Sequence, residues 1–336
     1  MLPTRQGNIL IVSPATLPDQ LRRFVQSAMG KHASAPLSPA KCRQIAQSLT
    51  RQARPPRSDT GARKTIGRYT FRDEQLDPTE STTYYQMYKG HDTRLDRLVW
   101  LKRFQLSQLT RGEPDHEEER IAREMIALQD LDATRVDGVQ KFFEKIRQGA
   151  DLYLVLEYID GPRLDHWLQA QPSRDHRLAL LRQLASILEA LEPRHIVHRA
   201  LSPANIRLAP ETNQPILVNF ELCRLEYLGT LPVAGRRLFD SQYQAQETNQ
   251  PGGIVTSSAD IYSFGKIACL VLAGELPFGT YHDQVRVARQ PGFWAALGDR
   301  CGLNSAGAKA LQTMLAPNPA RRPKAAELRE MVAAWR

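Results

Sequence analysis

Apolar residues recur at helical spacing in two stretches of the chain. Ile121, Met125 and Leu128 fall on one face of a predicted helix, with Glu124 projecting elsewhere on the same helix. Leu178, Leu181, Leu184, Leu188 and Leu191 line one side of a longer predicted helix, so they read as core. Nearer the start, the apolar run Ile9-Leu10-Ile11-Val12 predicts a short strand, and Leu17, Leu21, Phe24 and Val25 predict a helix after it. Ser38 followed by Pro39 predicts the cap and first turn of a helix continuing to Arg51. A serine hydroxyl accepts from an open helix amide, and proline has no amide to leave open. Residues 52–64 carry Pro55 and Pro56 among scattered basic residues and predict a flexible linker. Apolar stretches such as Ile267 to Ala273 are too short to cross a bilayer, and no internal repeat is visible.

Composition and charge refine this picture. A chain of 336 residues with 42% hydrophobic content can bury a full core and carry a small appendage. The formal net charge of +9 has a location: through Gly67 there are eleven Lys or Arg against two acids, Asp19 and Asp59, and the remainder balances at 34 against 34. An arm with that excess suits an acidic or nucleic-acid partner for residues 1–66, or serves as a solvated linker. The four cysteines, Cys42, Cys223, Cys269 and Cys301, are far apart in sequence and show no metal-type spacing. A disulfide framework or zinc site is therefore not expected, and a reducing compartment is. The first residues lead into no signal-like apolar core, so the expected location is the cytoplasm, away from membranes.

The chemistry is concentrated in a series of short motifs. His198-Arg199-Ala200-Leu201-Ser202-Pro203-Ala204-Asn205 has the spacing of the protein-kinase catalytic loop, with alanine at the position of the catalytic aspartate. Val99-Trp100-Leu101-Lys102, Glu124, the hinge-like Leu156-Glu157-Tyr158-Ile159-Asp160-Gly161, Asn219-Phe220-Glu221, Ala245-Gln246-Glu247, Asp260 to Gly265 and Arg321-Arg322-Pro323 stand in the order of that family. The chain thus resembles the eukaryotic-like serine/threonine protein kinases over about four-fifths of its length. The resemblance implies an α+β, two-lobed fold: a small β-rich N-lobe with one main helix (68–156), a hinge (157–161) and a larger helical C-lobe (162–336). Ahead of this domain lie a basic α/β remnant or arm (1–51) and a linker (52–67). The arm is faintly similar to the end of a nuclease-related domain, without a nuclease motif.

Several matching positions are scaffold. Leu128, Phe142, His198 and Phe220 resemble the hydrophobic spine that joins the lobes. Glu247 and Arg322 match an internal ion pair, and Asp260 matches the aspartate that holds the catalytic-loop backbone. Other positions depart from the family. Phosphoryl transfer needs a carboxylate to orient the hydroxyl, metal ions, and backbone amides over the phosphates. Here Ala200 has no proton acceptor, Ser202 replaces a lysine, and Asn219 puts a neutral amide where a metal-binding carboxylate is usual. Glu80, Thr82 and Tyr85 stand where three glycines cover the phosphates, and Glu80 is expected to repel them.

Two further departures face the position of adenine. Trp100 replaces a small roof residue, and Arg207 replaces an apolar floor residue. They are expected either to fill the pocket as a cation–π pair or to turn away through a local bulge. These departures point to a pseudokinase, an interaction or allosteric module that uses no cofactor and binds a protein partner. The alternative is an atypical ATP-dependent serine/threonine kinase using Mg2+, with Lys102, Glu124, Glu157, Tyr158 and Asn205 holding the nucleotide, and Asn205, Asn219 and a displaced Glu221 near the metal. A third reading is a nucleic-acid-associated regulator acting through the basic arm. Arg199 could also pair with a phosphate on Thr230, Ser241 or Tyr243.

Overall fold

The computed structural model describes residues 62–336 apart from 83–84, 106–113, 229–241, 250–254 and 280, together with the strands β1 (Arg5–Gln6) and β2 (Ile9–Leu10). The chain divides into two compact units, Met1–Ala62 and Arg63–Arg336. In the first, β1 and β2 pair antiparallel. The helices expected across Leu17 to Val25 and from Ser38 to Arg51 lie outside the described residues, as do Thr230, Ser241 and most of the stretch read as linker.

The second unit begins earlier than the sequence suggests. Lys64–Ile66 is a strand (β3) paired with Tyr69–Phe71 (β4), so residues 64–66 are sheet where a linker was expected. The cause is local: Gly67, at φ +54, makes the tight turn, and Ile66 and Tyr69 bury their side chains. Next come β5 (Leu76–Asp77), β6 (Gln86–Asp92) and β7 (Arg97–Gln105). After α1 (Pro114–Ala133), β8 (Phe142–Gln148) and β9 (Asp151–Glu157) complete a curled antiparallel sheet in the order β3-β4-β6-β7-β9-β8, with β5 on β6. Alternation along β7 sets the chemistry. Trp100 and Lys102 share the face that looks into the interlobe cleft, while Val99 and Leu101 pack with Tyr69, Phe71 and Tyr153 in a separate core on the other face.

The C-lobe is helical, with α2 (Leu164–Gln169), α3 (Arg174–Leu191) and α4 (Ser258–Ala273) at its centre. Ser173 caps α3, and the leucines expected as core, Leu178, Leu181, Leu184, Leu188 and Leu191, are all buried. Around them lie α5 (Tyr281–Val287), α6 (Phe293–Arg300), α7 (Ser305–Met314) and α8 (Ala325–Ala333). Short two-stranded pairs β10 (Ile196–Val197) with β13 (Arg224–Leu225), and β11 (Ile206–Leu208) with β12 (Pro215–Leu217), carry the loops that reach the cleft. The architecture is therefore α+β and two-lobed.

Two packing details shape the hinge and the C-lobe interior. A Cβ on Gly161 would stand 1.7 Å from the Leu208 carbonyl oxygen, so only glycine lets the chain leaving the N-lobe lie against β11. Cys269 and Cys301, remote in sequence, are both buried in the C-lobe interior as free thiols. No helix among the described residues is long and apolar enough to cross a membrane.

Candidate active site

The cleft is built around Lys102. Its Nζ donates to both carboxylate oxygens of Glu124 on α1, at 2.8 and 3.0 Å, and lies 4.1 Å from the Tyr85 ring centroid. Glu221 Oε2 is 3.8 Å from the same ammonium. Two buried carboxylates thus share one buried cation, and burial raises the Glu124 pKa against the opposing pull of Lys102. Lys102 also reaches the Asn219 side-chain oxygen at 3.4 Å, and Asn219 Nδ2 donates to Asn205 Oδ1 at 3.3 Å. Asn205 in turn donates to the Ala200 carbonyl at 2.7 Å. Sheet, helix and both C-lobe loops therefore converge on one chain of polar contacts.

The catalytic-loop backbone is held from below. Asp260 on α4 accepts from the amides of His198 at 2.7 Å and Arg199 at 2.9 Å, and Arg199 and Asn219 sit at φ 63 and 64. The left-handed conformations turn these loops toward the cleft. His198 is wholly buried, meets Phe220 edge-on at 4.7 Å, and uses Nε2 to contact the Val218 carbonyl at 3.1 Å. Burial pulls its pKa down to about 4 and pushes that of Asp260 up to about 6. Leu128 and Phe220 are buried in the main core, and Phe142 is half-buried against it. Ala200 packs its methyl group against Leu222, and Ser202 Oγ is buried with no hydrogen-bond partner among the described residues. Arg322 clamps Glu247 with two hydrogen bonds, at 2.5 and 3.1 Å.

Trp100 and Arg207 come together at the mouth of the cleft. The Arg207 Cζ lies 5.9 Å from the Trp100 ring centroid, near the outer reach of a cation–π contact. The stronger partners of Arg207 were not anticipated: Nη2 donates to Glu80 Oε1 at 2.7 Å and Nη1 to the Gly161 carbonyl at 2.9 Å. Glu80, expected only to repel phosphate, is instead neutralised across the cleft. Two residues further on, the Thr82 amide donates to the Tyr85 carbonyl at 2.9 Å. The cavity behind this Glu80–Arg207 bridge measures about 120 Å³ and is lined by Trp100, Lys102, Glu124, Asn205, Arg207 and Asn219, among others.

Two expected nucleotide contacts lie outside that cavity. Glu157 uses its carbonyl to accept from Gln140 Nε2 at 2.8 Å, and Tyr158 turns its ring onto Trp100 at 5.0 Å while Lys89 donates to its hydroxyl at 3.0 Å. The Glu157 side chain accepts from the Lys141 amide at 3.2 Å, and neither residue lines that cavity. Gln140 and Arg163, which do line it, carried no signal in the sequence. Arg163 arrives by a bridge of its backbone to Arg207, a contact set by the chain path after Gly161. Arg199 is buried beside Arg120 and Arg224, whose charges add to burial in lowering its pKa.

Comparison with known proteins agrees with this geometry. The family described as the protein kinase domain matches residues 83–332. The chain belongs to the protein kinase family. A Synechocystis protein named serine/threonine-protein kinase C is 32% identical over 47% of this chain and 30% of its own length. A Myxococcus xanthus serine/threonine-protein kinase is 32% identical over 48% of this chain and 20% of its own length. The matched stretch is thus less than a third of either relative. These findings correct the expectation of a pseudokinase module without phosphoryl transfer: the relatives are named as serine/threonine kinases, and the alternative reading is the one they favour.

Proposed function

We propose that this chain is an atypical ATP-dependent serine/threonine protein kinase of low turnover. The observation that carries the reading is Lys102, held by Glu124 at 2.8 Å and aimed into a cleft shared with Asn205 and Asn219. The kinase names of its relatives support the phosphate donor and the acceptor class.

The residues fit the phosphates better than the base. Lys102 offers a fixed positive charge, and the Asn205 and Asn219 amide oxygens are hard, neutral ligands for a Mg2+ that arrives with its nucleotide. Among the described residues, Glu80 and Glu124 are the carboxylates lining the cavity, and both already pair with cations. At about 120 Å³ the cavity is smaller than the roughly 300 Å³ at which drug-sized ligand sites begin, so parting of the Glu80–Arg207 bridge would widen the room for a nucleotide. Bound ATP would supply the transferable phosphoryl group, and a Mg2+ held with it would offset the phosphate charge.

The chain's own contribution is positioning and charge. Lys102 offsets phosphate negative charge, while Asp260 holds the loop on which Asn205 sits. Phosphoryl transfer passes through a loose transition state in which the nucleophile's proton departs late. A chain with alanine at position 200 therefore loses the gain from a positioned base, about 10²- to 10⁴-fold, without losing the reaction. The phosphorus–oxygen bond to ADP breaks, the bond to a serine or threonine oxygen forms, and the hydroxyl proton passes to solvent.

The test is a thermal-unfolding titration with ATP, with and without Mg2+ or Mn2+, followed by analysis of which amino acids become phosphorylated. Saturation at about 100 times the dissociation constant should add roughly 2.7 kcal/mol, together with label on serine or threonine. No shift at any accessible ATP concentration would overturn the reading.

A further inference from the structure

A second cavity lies away from the cleft, between α5, α6 and α7 and the loop after α7. It measures about 490 Å³ and shares no lining residue with the nucleotide cleft. Its floor is fixed by buried Gln284, which accepts from Tyr262 Oη at 2.9 Å and donates to the Leu315 carbonyl. Both of those partners belong to the packed C-lobe interior, so the groove is part of the fold.

Its chemistry is two-sided. Val285, Ala288 and half-buried Trp294 give an apolar strip, and Arg289, Lys309 and Arg321 stand around it, all exposed. Among the described residues, no aspartate or glutamate lines the groove. Lys309 donates only to Gln312, at 3.3 Å, and Arg289 and Arg321 make no ion pair among the described residues. Three cations without carboxylates beside an apolar strip complement a segment of the opposite pattern.

We infer that this groove docks an acidic peptide segment of a partner protein, with an apolar or aromatic side chain seated against Trp294 and carboxylates facing Arg289, Lys309 and Arg321. The chain's own first 67 residues are excluded as occupant by charge, with eleven basic residues against two acids. The inference stands independently of phosphoryl transfer, because the two sites share no residue.

The test uses the full chain and a fluorescent synthetic peptide in which glutamates and aspartates flank one phenylalanine. Controls are the same peptide with lysines for the acids and a single-stranded oligonucleotide. Binding should quench Trp294 fluorescence and weaken with salt. The acidic peptide should bind at least about ten-fold tighter than the lysine peptide, and the double variant Arg289→Glu, Lys309→Glu should lose about ten-fold or more. Reversal of exposed Arg147, on β8, should leave binding unchanged. Arg289 and Lys309 are exposed, so the variants should retain the native circular dichroism, and Trp294→Phe reads the apolar contact separately. Equal binding of the two peptides would overturn the inference. So would indifference to the double reversal, or binding of the oligonucleotide in place of the acidic peptide.

Discussion

Removing the Glu80 carboxylate should open the nucleotide site. Glu80 and Arg207 are 17% and 12% exposed, and their 2.7 Å contact joins the phosphate-covering loop of the N-lobe to β11 of the C-lobe. A hydrogen bond between charged groups in such a setting is worth about 1.5 kcal/mol, discounted here to the low end because both groups still meet solvent. That energy corresponds to a closed-to-open ratio near ten, so the apparent ATP affinity of the native chain is about ten-fold weaker than that of the open form. Glu80→Ala removes both the bridge and a negative charge facing the phosphates. It should tighten ATP binding about ten-fold, with Glu80→Gln intermediate, because glutamine still accepts a neutral hydrogen bond from Arg207. Isothermal titration with Mg-ATP on the native chain, both variants and the charge-swapped pair Glu80→Arg, Arg207→Glu reads this directly. The swap should restore weak binding. If Glu80→Ala binds ATP no more tightly than the native chain, the bridge is not what closes the site.

The same geometry sets three further outcomes. Ala200→Asp should raise the rate of phosphate transfer about 10²- to 10⁴-fold in a single-turnover assay. It should also lower thermal stability, because a carboxylate then replaces a methyl group that is 2% exposed against Leu222. His198, with its pKa pulled from 6.5 to about 4, binds protons more weakly folded than unfolded. Its stability contribution is present above pH 6.5 and is lost as pH falls through about 4, by on the order of 3 kcal/mol. Asp260, raised to about 6, slopes the opposite way between its unfolded value and pH 6, so the difference between native and His198→Phe denaturant curves isolates the histidine. Glu247→Gln leaves the buried Arg322 guanidinium without its carboxylate and should cost about 3–5 kcal/mol in chemical denaturation, with an unchanged denaturant slope.

Much of the fold was legible because its residues carry periodic or local signals. The leucines of α3 and the face of α1 announce themselves by spacing, and the Lys102 strand and the catalytic-loop motif by order along the chain. The contacts that close the cleft were harder to read, since they depend on long-range chain path. Glu80 meets Arg207 across 127 residues. Nothing near either residue shows that Gly161 lets β11 approach the hinge and bring Arg163 with it. Gln140 is a similar case: its amide reaches the Glu157 carbonyl only once β8 and β9 are paired. The strand at Lys64–Ile66 was hidden by its basic, proline-flanked surroundings. Its sheet character comes from Ile66 and Tyr69 finding an apolar face that only the folded N-lobe provides. Absence of a catalytic carboxylate was plain in the sequence, yet absence at one position weighs less than the surviving Lys102–Glu124–Asn205 framework and the kinase relatives.

Transfer of phosphate from ATP by the Lys102–Glu124–Asn205 framework is open to direct measurement. The most direct measurement is single-turnover transfer from γ-labelled ATP to serine- and threonine-containing peptides, comparing the native chain with Lys102→Met. Typical kinase turnover, reduced by loss of the positioned base, gives an expected rate on the order of 10⁻⁴ to 1 s⁻¹. The account predicts label on serine or threonine at that rate and none with Lys102→Met. Equal incorporation by the two proteins, or none by either at saturating ATP and metal, would contradict it.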